Sequence, residues 1–339
     1  MSENISAANT SGLNPHKKSQ INKIIIAAAP FMGMLLLLLA YIAVTVAKGY
    51  DVVYGITRPV LNGAVTCAVV ATGATMIYAM GSFDISLGAA VCFTAVIGQY
   101  VYGATGSLVL MLAVMFGVGV GVTLLEALLA SIFNVPVFIT TVAALSVFSA
   151  ASAYLIKMFA KSDSMSLPYD LASNLNSYNS PALKIGIVFV FAMVCFVIFD
   201  LTKIGRRVKF VGGNPLCAKL TGISSNKMAI IAFAMSGIGI ALGSFLTLTS
   251  GTSTVSSSTA SNIGMDVLVA IVFGGMPISG GSRSKIYAAC VGAVSMSLLT
   301  QLLYNFGCDY GITQMIKAIL FLIVVFITSL SYRTKMLAR

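Results

Sequence analysis

Apolar residues run through this chain in long unbroken blocks separated by short polar islands, not in the alternating or three-to-four spacing of half-buried elements. A helix needs about 20 apolar residues to cross a bilayer. On that ruler ten blocks qualify: 24–47, 60–80, 85–103, 108–131, 136–156, 183–200, 228–249, 263–275, 286–304 and 313–331. The eighth is short. Its Ser/Thr-rich approach, SGTSTVSSSTASN (250–262), and its Gly-rich exit predict a broken or re-entrant helix, a form tolerated only where protein or a water-filled cavity surrounds it. The pattern predicts an all-α, polytopic transmembrane bundle of about ten spans.

The polar islands fix an expected orientation. Residues 1–23 are polar and carry Lys17, Lys18 and Lys23 ahead of an apolar stretch too long for a signal-peptide core, so they read as a retained cytoplasmic tail. Ten spans then return the tail 332–339 to the cytoplasm. Fourteen of the twenty Lys and Arg residues fall inside on this scheme: Lys17, Lys18, Lys23, Lys203, Arg206, Arg207, Lys209, Lys219, Lys227, Arg283, Lys285, Arg333, Lys335 and Arg339. Five fall outside (Lys48, Arg58, Lys157, Lys161 and Lys184) and Lys317 lies within the last span. That bias is the one the positive-inside rule requires. The transmembrane domain is expected over 24–331, with a cytoplasmic loop at 201–227 and an external connection at 157–182, whose Pro168, Pro181 and many Ser and Asn residues make a poor spanning helix.

Composition agrees with the pattern and closes several alternatives. A chain that is 58% hydrophobic and 9% charged, with a mean hydropathy of +0.98, cannot cover a water-soluble surface. The net charge of +11 follows from membrane orientation and gives no reason to invoke nucleic acid. The six cysteines show no CxxC spacing and most fall in apolar runs, so neither a metal nor a disulfide is expected. His16, the one histidine, lies in the polar tail. No G-x-x-x-x-G-K-[ST] phosphate loop occurs, so the chain holds no ATP site of its own and no cofactor is expected in it.

Within the basic loop, Asn214 suits a helix N-cap, Pro215 the first helical position and Gly222 the residue after the last turn. They predict a helix of about two turns, on which Leu216, Leu220 and Ile223 form an apolar face and Lys219 points away. So short a helix is marginal alone. It must pack either on the chain's own helix ends or in a groove of a cytoplasmic partner.

Four charged residues fall in or beside apolar runs: Asp84, Glu126, Asp266 and Lys317. Intramembrane ionisable groups are costly and mark function by default. Structural roles compete: Asp84 could cap the third span, Asp266 the eighth, and Glu126 and Lys317 could pair within the bundle. GSFDISLG (81–88) and GGMPISGG (274–281) share Gly81/Gly274, Ile85/Ile278, Ser86/Ser279 and Gly88/Gly281 when laid side by side, with Gly275 following Gly274. Both read as helix junctions at the inner end of a pathway.

TKIGRRVKFVGGNPLCAKLTGISSNKMAIIAFAMSG (202–237) resembles the coupling segment of the ribose-type ABC sugar importer permeases. The resemblance continues in GSFDISLGA (81–89), PVFITTVAAL (136–145) and GMDVLVAIVFGGMPISGGSRSKIYAACVGA (264–293), four motifs in the family's order over about 60–330. Ser82, Pro277 and the stretch Ser282 to Lys285 depart from its usual pattern. The resemblance implies a permease subunit passing a ribose-like pentose or a hexose across a bacterial inner membrane. Asn214, Pro215, Leu216, Ala218, Lys219, Leu220, Gly222 and Ile223 would then form the ATPase-coupling helix. It further implies ATP and Mg on a separate ATPase subunit, an external sugar-binding protein, and a second permease subunit, identical or paralogous. The alternative reading is a gradient-driven carrier in which Asp84, Glu126 or Asp266 takes a proton or Na⁺. A membrane-embedded enzyme finds no carboxylate pair, metal cluster or nucleophile and base to support it.

Overall fold

The computed structural model describes residues 15–160, 175, 178–250, 257–277 and 279–337, with side chains left undescribed before residue 28, at 160, at 257–262 and after 326. Every regular element among them is helical. In chain order these are α1 (Pro15–Ala47), α2 (Val52–Gly55), α3 (Leu61–Ala79), α4 (Leu87–Thr105), α5 (Leu108–Ile132), α6 (Val137–Ala160), α7 (Pro181–Phe196), α8 (Lys203–Gly213), α9 (Pro215–Leu220), α10 (Ser225–Leu248), α11 (Ser257–Phe273), α12 (Ile286–Asn305) and α13 (Tyr310–Leu337). Eight helical stretches are long and apolar enough to cross a membrane, and two shorter apolar ones, Ile263–Phe273 and Tyr310–Phe326, stand where the sequence places the eighth and tenth spans. Most of the connection 157–182 lies outside the described residues.

The helices sort into a centre and a shell by which faces are apolar. α3 is apolar or small on every side and is buried along nearly its whole length, the condition for a helix at the middle of a bundle. α10, α12, α7 and α11 pack against it, while α5, α6 and the outer side of α7 turn Leu, Val and Phe residues to the outside. Such outward apolar faces suit a hydrocarbon surround. Small residues set the central spacing: Gly239 of α10 meets Gly73 of α3, and Gly237 meets Val120 and Gly119 of α5, backbone against backbone.

Three local features go beyond the hydrophobic pattern. Ahead of α3, Asp51 accepts hydrogen bonds from the N–H groups of Val53 (2.8 Å) and Tyr54 (3.1 Å) and starts α2. A π turn over Ile56–Val60, containing Pro59, joins α2 to α3; widening the turn is one way a helix absorbs the proline's missing donor. The eighth span begins at Ser257, earlier than 263, which puts Asp266 in its interior, not at its start. The basic loop holds a helix, α8, that precedes the expected one.

Among the described residues, successive connections alternate between two ends of the bundle. One end, here the basic end, carries α8, α9 and the connections 80–86, 133–136 and 274–285. At the opposite end, Lys184 of α7 donates to Asn62 Oδ1 (2.6 Å) and Asn179 Oδ1 (2.7 Å). Asn62 in turn donates to the Ser250 carbonyl (3.0 Å), tying the ends of α3, α7 and α10.

Candidate coupling surface and helix junctions

The short helix α9 is built by local capping. Asn214 Oδ1 accepts from the Cys217 N–H (3.0 Å), and Pro215 occupies the first turn, where its missing N–H costs nothing. At the other end Gly222 adopts φ +79°. The Gly222 N–H donates to the Lys219 carbonyl (3.1 Å) and the Ile223 N–H to that of Ala218 (2.9 Å), closing the helix as a left-handed C-terminal residue does.

Which face of α9 packs inward is the informative part. Ala218 is fully buried, whereas Leu216 is 68% and Leu220 80% exposed. Ile223, after the helix, is partly buried against the core. The expected single apolar face is therefore split: Ala218 and Ile223 face the bundle, and the two leucines, one helical turn apart, face away from it. Lys219 and Cys217 are exposed beside them.

α8 positions α9. Thr202 Oγ1 accepts from the Ile204 N–H (3.2 Å) and starts the helix, and Gly205, Val208 and Val211, three residues apart, form its buried face. Lys209 folds back toward the end of α7, pairing with Asp200 at 2.6 Å and lying 4.2 Å from the centre of the Phe199 ring. Arg206 and Arg207 stay exposed. One of the basic residues that signals orientation is thus also a clip between α8 and α7.

At the end of α8 three segments meet through their backbones. The Gly281 N–H donates to the Ala79 carbonyl (2.8 Å). A Cβ on Gly212 would collide with that same carbonyl and crowd the Gly281 nitrogen. Gly81 (φ +74°) sits against the Ser279 carbonyl, and a Cβ on Gly280 (φ +67°) would strike the Ala79 carbonyl. The two junctions that look alike in sequence are in contact, and α8 seals the contact.

The junction residues play unequal parts. Asp84 is buried, and its Oδ1 accepts from the Ser86 N–H (2.9 Å) and the Ser86 hydroxyl (2.7 Å). It organises the turn before α4, whose first residue is Leu87, without reaching the helix's own N–H groups. Burial pushes the Asp84 carboxyl above its ordinary range, and the Ser86 bonds oppose that rise. Tyr78 donates to the Asp84 carbonyl (3.0 Å), and Thr141 of α6 donates to that of Phe83 (3.4 Å). Gly88 packs near Gly264 of α11; Gly274, which a Cβ would drive into the Ala288 carbonyl, holds α11 against α12; Gly275 faces Pro30 of α1. Ser279 is exposed.

The other charges pair differently from the sequence expectation. Lys317 bonds Asp266 at 2.7 Å, with 1% and 24% of the side chains exposed. Asp266 therefore caps nothing; ten residues into α11, it balances a lysine from α13. Glu126 on α5 is buried without Lys317, beside Asp84 and Ser86. Among the described residues no group of three or more His, Cys, Asp or Glu could hold a metal. A cleft of about 310 Å³ opens at the basic end next to the start of α10, lined by Ser131, Asn134, Pro136, Asn226 and Ala229 among others.

The pattern of the family described as branched-chain amino acid transport system / permease component matches residues 56–328. The chain is 25% identical over 270 residues to the probable ABC transporter permease protein YphD of Escherichia coli (strain K12), covering 78% of this chain and 79% of that one. It is 21% identical over 269 residues to the ribose import permease protein RbsC of the same strain, covering 77% and 81%. To the galactofuranose transporter permease protein YtfT of that strain it is 24% identical over 293 residues, covering 81% and 80%. No solved structure matches it.

Proposed function

Because the chain belongs to the branched-chain amino acid transport system / permease component family, we propose that it is the membrane-spanning subunit of an ABC importer for a monosaccharide. The relatives named for ribose and for galactofuranose point to a pentose or a hexose. A separate ATPase carries the ATP and Mg, an external binding protein delivers the sugar, and a second permease subunit completes the pathway. On this reading the chain sits in a bacterial inner membrane with its basic end toward the cytoplasm, an orientation that the distribution of Lys and Arg supports.

One observation carries the reading: Leu216 and Leu220 stand out of a capped helix at the basic end. Exposed leucines one turn apart on a rigid helix have the form of a helix that docks in a groove. Burying them on an ATPase gives that subunit a handle, and the backbone contacts of Gly212 with Ala79 and Gly281 connect the handle to both junctions. Closure of the ATPase dimer on ATP would then move α9, α8 and the junctions together, switching the pathway between outward and inward openings.

Reconstitution tests this. In proteoliposomes containing the permease, its ATPase and its binding protein, sugar uptake is expected to require ATP hydrolysis and to continue when an uncoupler collapses the proton gradient. Uptake by this chain alone, driven by a proton or Na⁺ gradient, would overturn the proposal.

A further inference from the structure

Two acids that the coupling path does not use lie together at its edge. Asp84, in the connection before α4, and Glu126, in the last two turns of α5, are 42 positions apart in sequence and 0% and 1% exposed. Ser86 stands between them. Its hydroxyl donates to Asp84 Oδ1 at 2.7 Å, and Glu126 is a neighbour of both residues. Yet neither Glu126 oxygen nor Asp84 Oδ2 has a donor at hydrogen-bond distance.

Two ionised carboxylates cannot share such a place. An unpaired buried charge costs many times a lost hydrogen bond, and a like charge beside it adds to the cost. No cation balances them among the described residues. Of the elements packed against the pair, α3 offers the Tyr78 hydroxyl, which donates to the Asp84 carbonyl. α10 carries one ionisable residue, Lys227, in its first turn. α4 carries Cys92, Tyr100 and Tyr102, and α6 carries Tyr154 and Lys157 in its second half. α11 carries Asp266, already bound to Lys317.

We propose that Asp84, Ser86 and Glu126 form a proton-binding site in which Glu126 holds one resident proton, donates it to Ser86 Oγ, and thereby leaves the Ser86 hydroxyl hydrogen for Asp84. The assignment of roles follows from the surroundings. Asp84 already accepts two hydrogen bonds and lies at the N-terminal end of α4, where the helix dipole favours a negative charge. Glu126 lies in the last two turns of the apolar helix α5, toward its C-terminal end, where the dipole gives a negative charge no such support. A protonated Glu126 removes one of the two buried charges and adds a donor to the cluster, and the pair titrates as a unit. The site fastens the connection 81–86 to α5: loss of the proton would set two anions face to face and push the junction off α5.

Infrared spectroscopy of the full chain in phospholipid nanodiscs tests the site, with the bulk proton as the probe. At neutral pH, where exposed carboxyls are ionised, a neutral carboxylic acid C=O band is expected in the natural protein and is expected to be lost in Glu126→Gln. Ser86→Ala should shift the band, because the acid loses its hydroxyl acceptor; this variant decides the matter if Glu126→Gln does not fold. Absence of the band in the natural protein, a band that neither substitution moves, or a band that Na⁺ removes at constant pH would each overturn the proposal, the last by making the pair a metal-cation site. The readout does not involve transport, so its failure leaves the importer reading untouched.

Discussion

Replacing Leu216 and Leu220 together with glutamate separates the handle from the rest of the molecule. The two side chains are 68% and 80% exposed, amounting to about one and a half leucines available to a partner. Full burial of a leucine is worth about 1.5–3 kcal/mol, so the pair offers about 2–4 kcal/mol to the docked state. At about 1.4 kcal/mol per tenfold, losing it weakens ATPase binding by roughly 30-fold to several hundred-fold, before any cost of burying the new charges. The permease itself should hardly notice, because substitutions at exposed sites usually change stability by less than about 0.5 kcal/mol. The expected result is unchanged insertion and thermal unfolding, no ATPase recovered on co-purification, and no ATP-driven uptake. If the ATPase is retained at full occupancy while the variant is folded, α9 is not the handle and the mechanical argument fails with it.

Other perturbations reach different links. Gly212→Ala drives a methyl into the Ala79 carbonyl and should cut uptake at least about tenfold, with overpacking costing about 1–3 kcal/mol in thermal unfolding, while the ATPase still co-purifies. Gly213→Ala, whose Cβ would meet nothing within 4 Å, should behave as the natural protein in both assays. Lys317→Met strands Asp266 and is expected to destabilise the detergent-solubilised chain by about 3 kcal/mol, at the low end for a buried pair because Asp266 keeps 24% exposure. Adding Asp266→Asn to it should recover most of that loss; no recovery would mean the pair does more than balance charge. Lys209→Met releases Asp200 and the clip between α8 and α7, and should reduce uptake more than it reduces ATPase binding.

The sequence was most informative where structure is decided locally. Asn214, Pro215 and Gly222 delimit α9 because each acts on a neighbouring backbone group, and such chemistry needs no partner from elsewhere in the chain. The apolar blocks likewise mark the spans, since a bilayer demands length and composition from each helix separately. α8 was readable in principle from Gly205, Val208 and Val211 at three-residue spacing. The pair Gly212–Gly213 obscured it, because glycine reads as a helix breaker when its actual service is close packing. The ion pairs were not legible: Lys317 and Asp266 are 51 positions apart, and only the packing of α13 on α11 decides that Lys317 meets Asp266 and leaves Glu126 to Asp84. Nor could the pattern say that Ala218 turns inward and the leucines outward.

The contact among Ala79, Gly212 and Gly281 bears most directly on mechanism. Side chains that link two elements can change rotamer and absorb a displacement of an ångström or more, so a signal passing through them loses amplitude. Here the link is made by main-chain atoms: the Gly281 N–H holds the Ala79 carbonyl at 2.8 Å, and Gly212 approaches both too closely to admit even a methyl group. Close-packed backbones have no rotamers to yield. The Lys209–Asp200 pair fixes α8 to the end of α7 on its other side, so α8 and α9 are held between a spanning helix and two helix junctions. A pull on Leu216 and Leu220 must move α3's end, the connection before α12 and α7's end together, or break a hydrogen bond. Such a linkage suits a coupling element, and it explains why glycines are placed where a helix would ordinarily be stabilised by a larger residue.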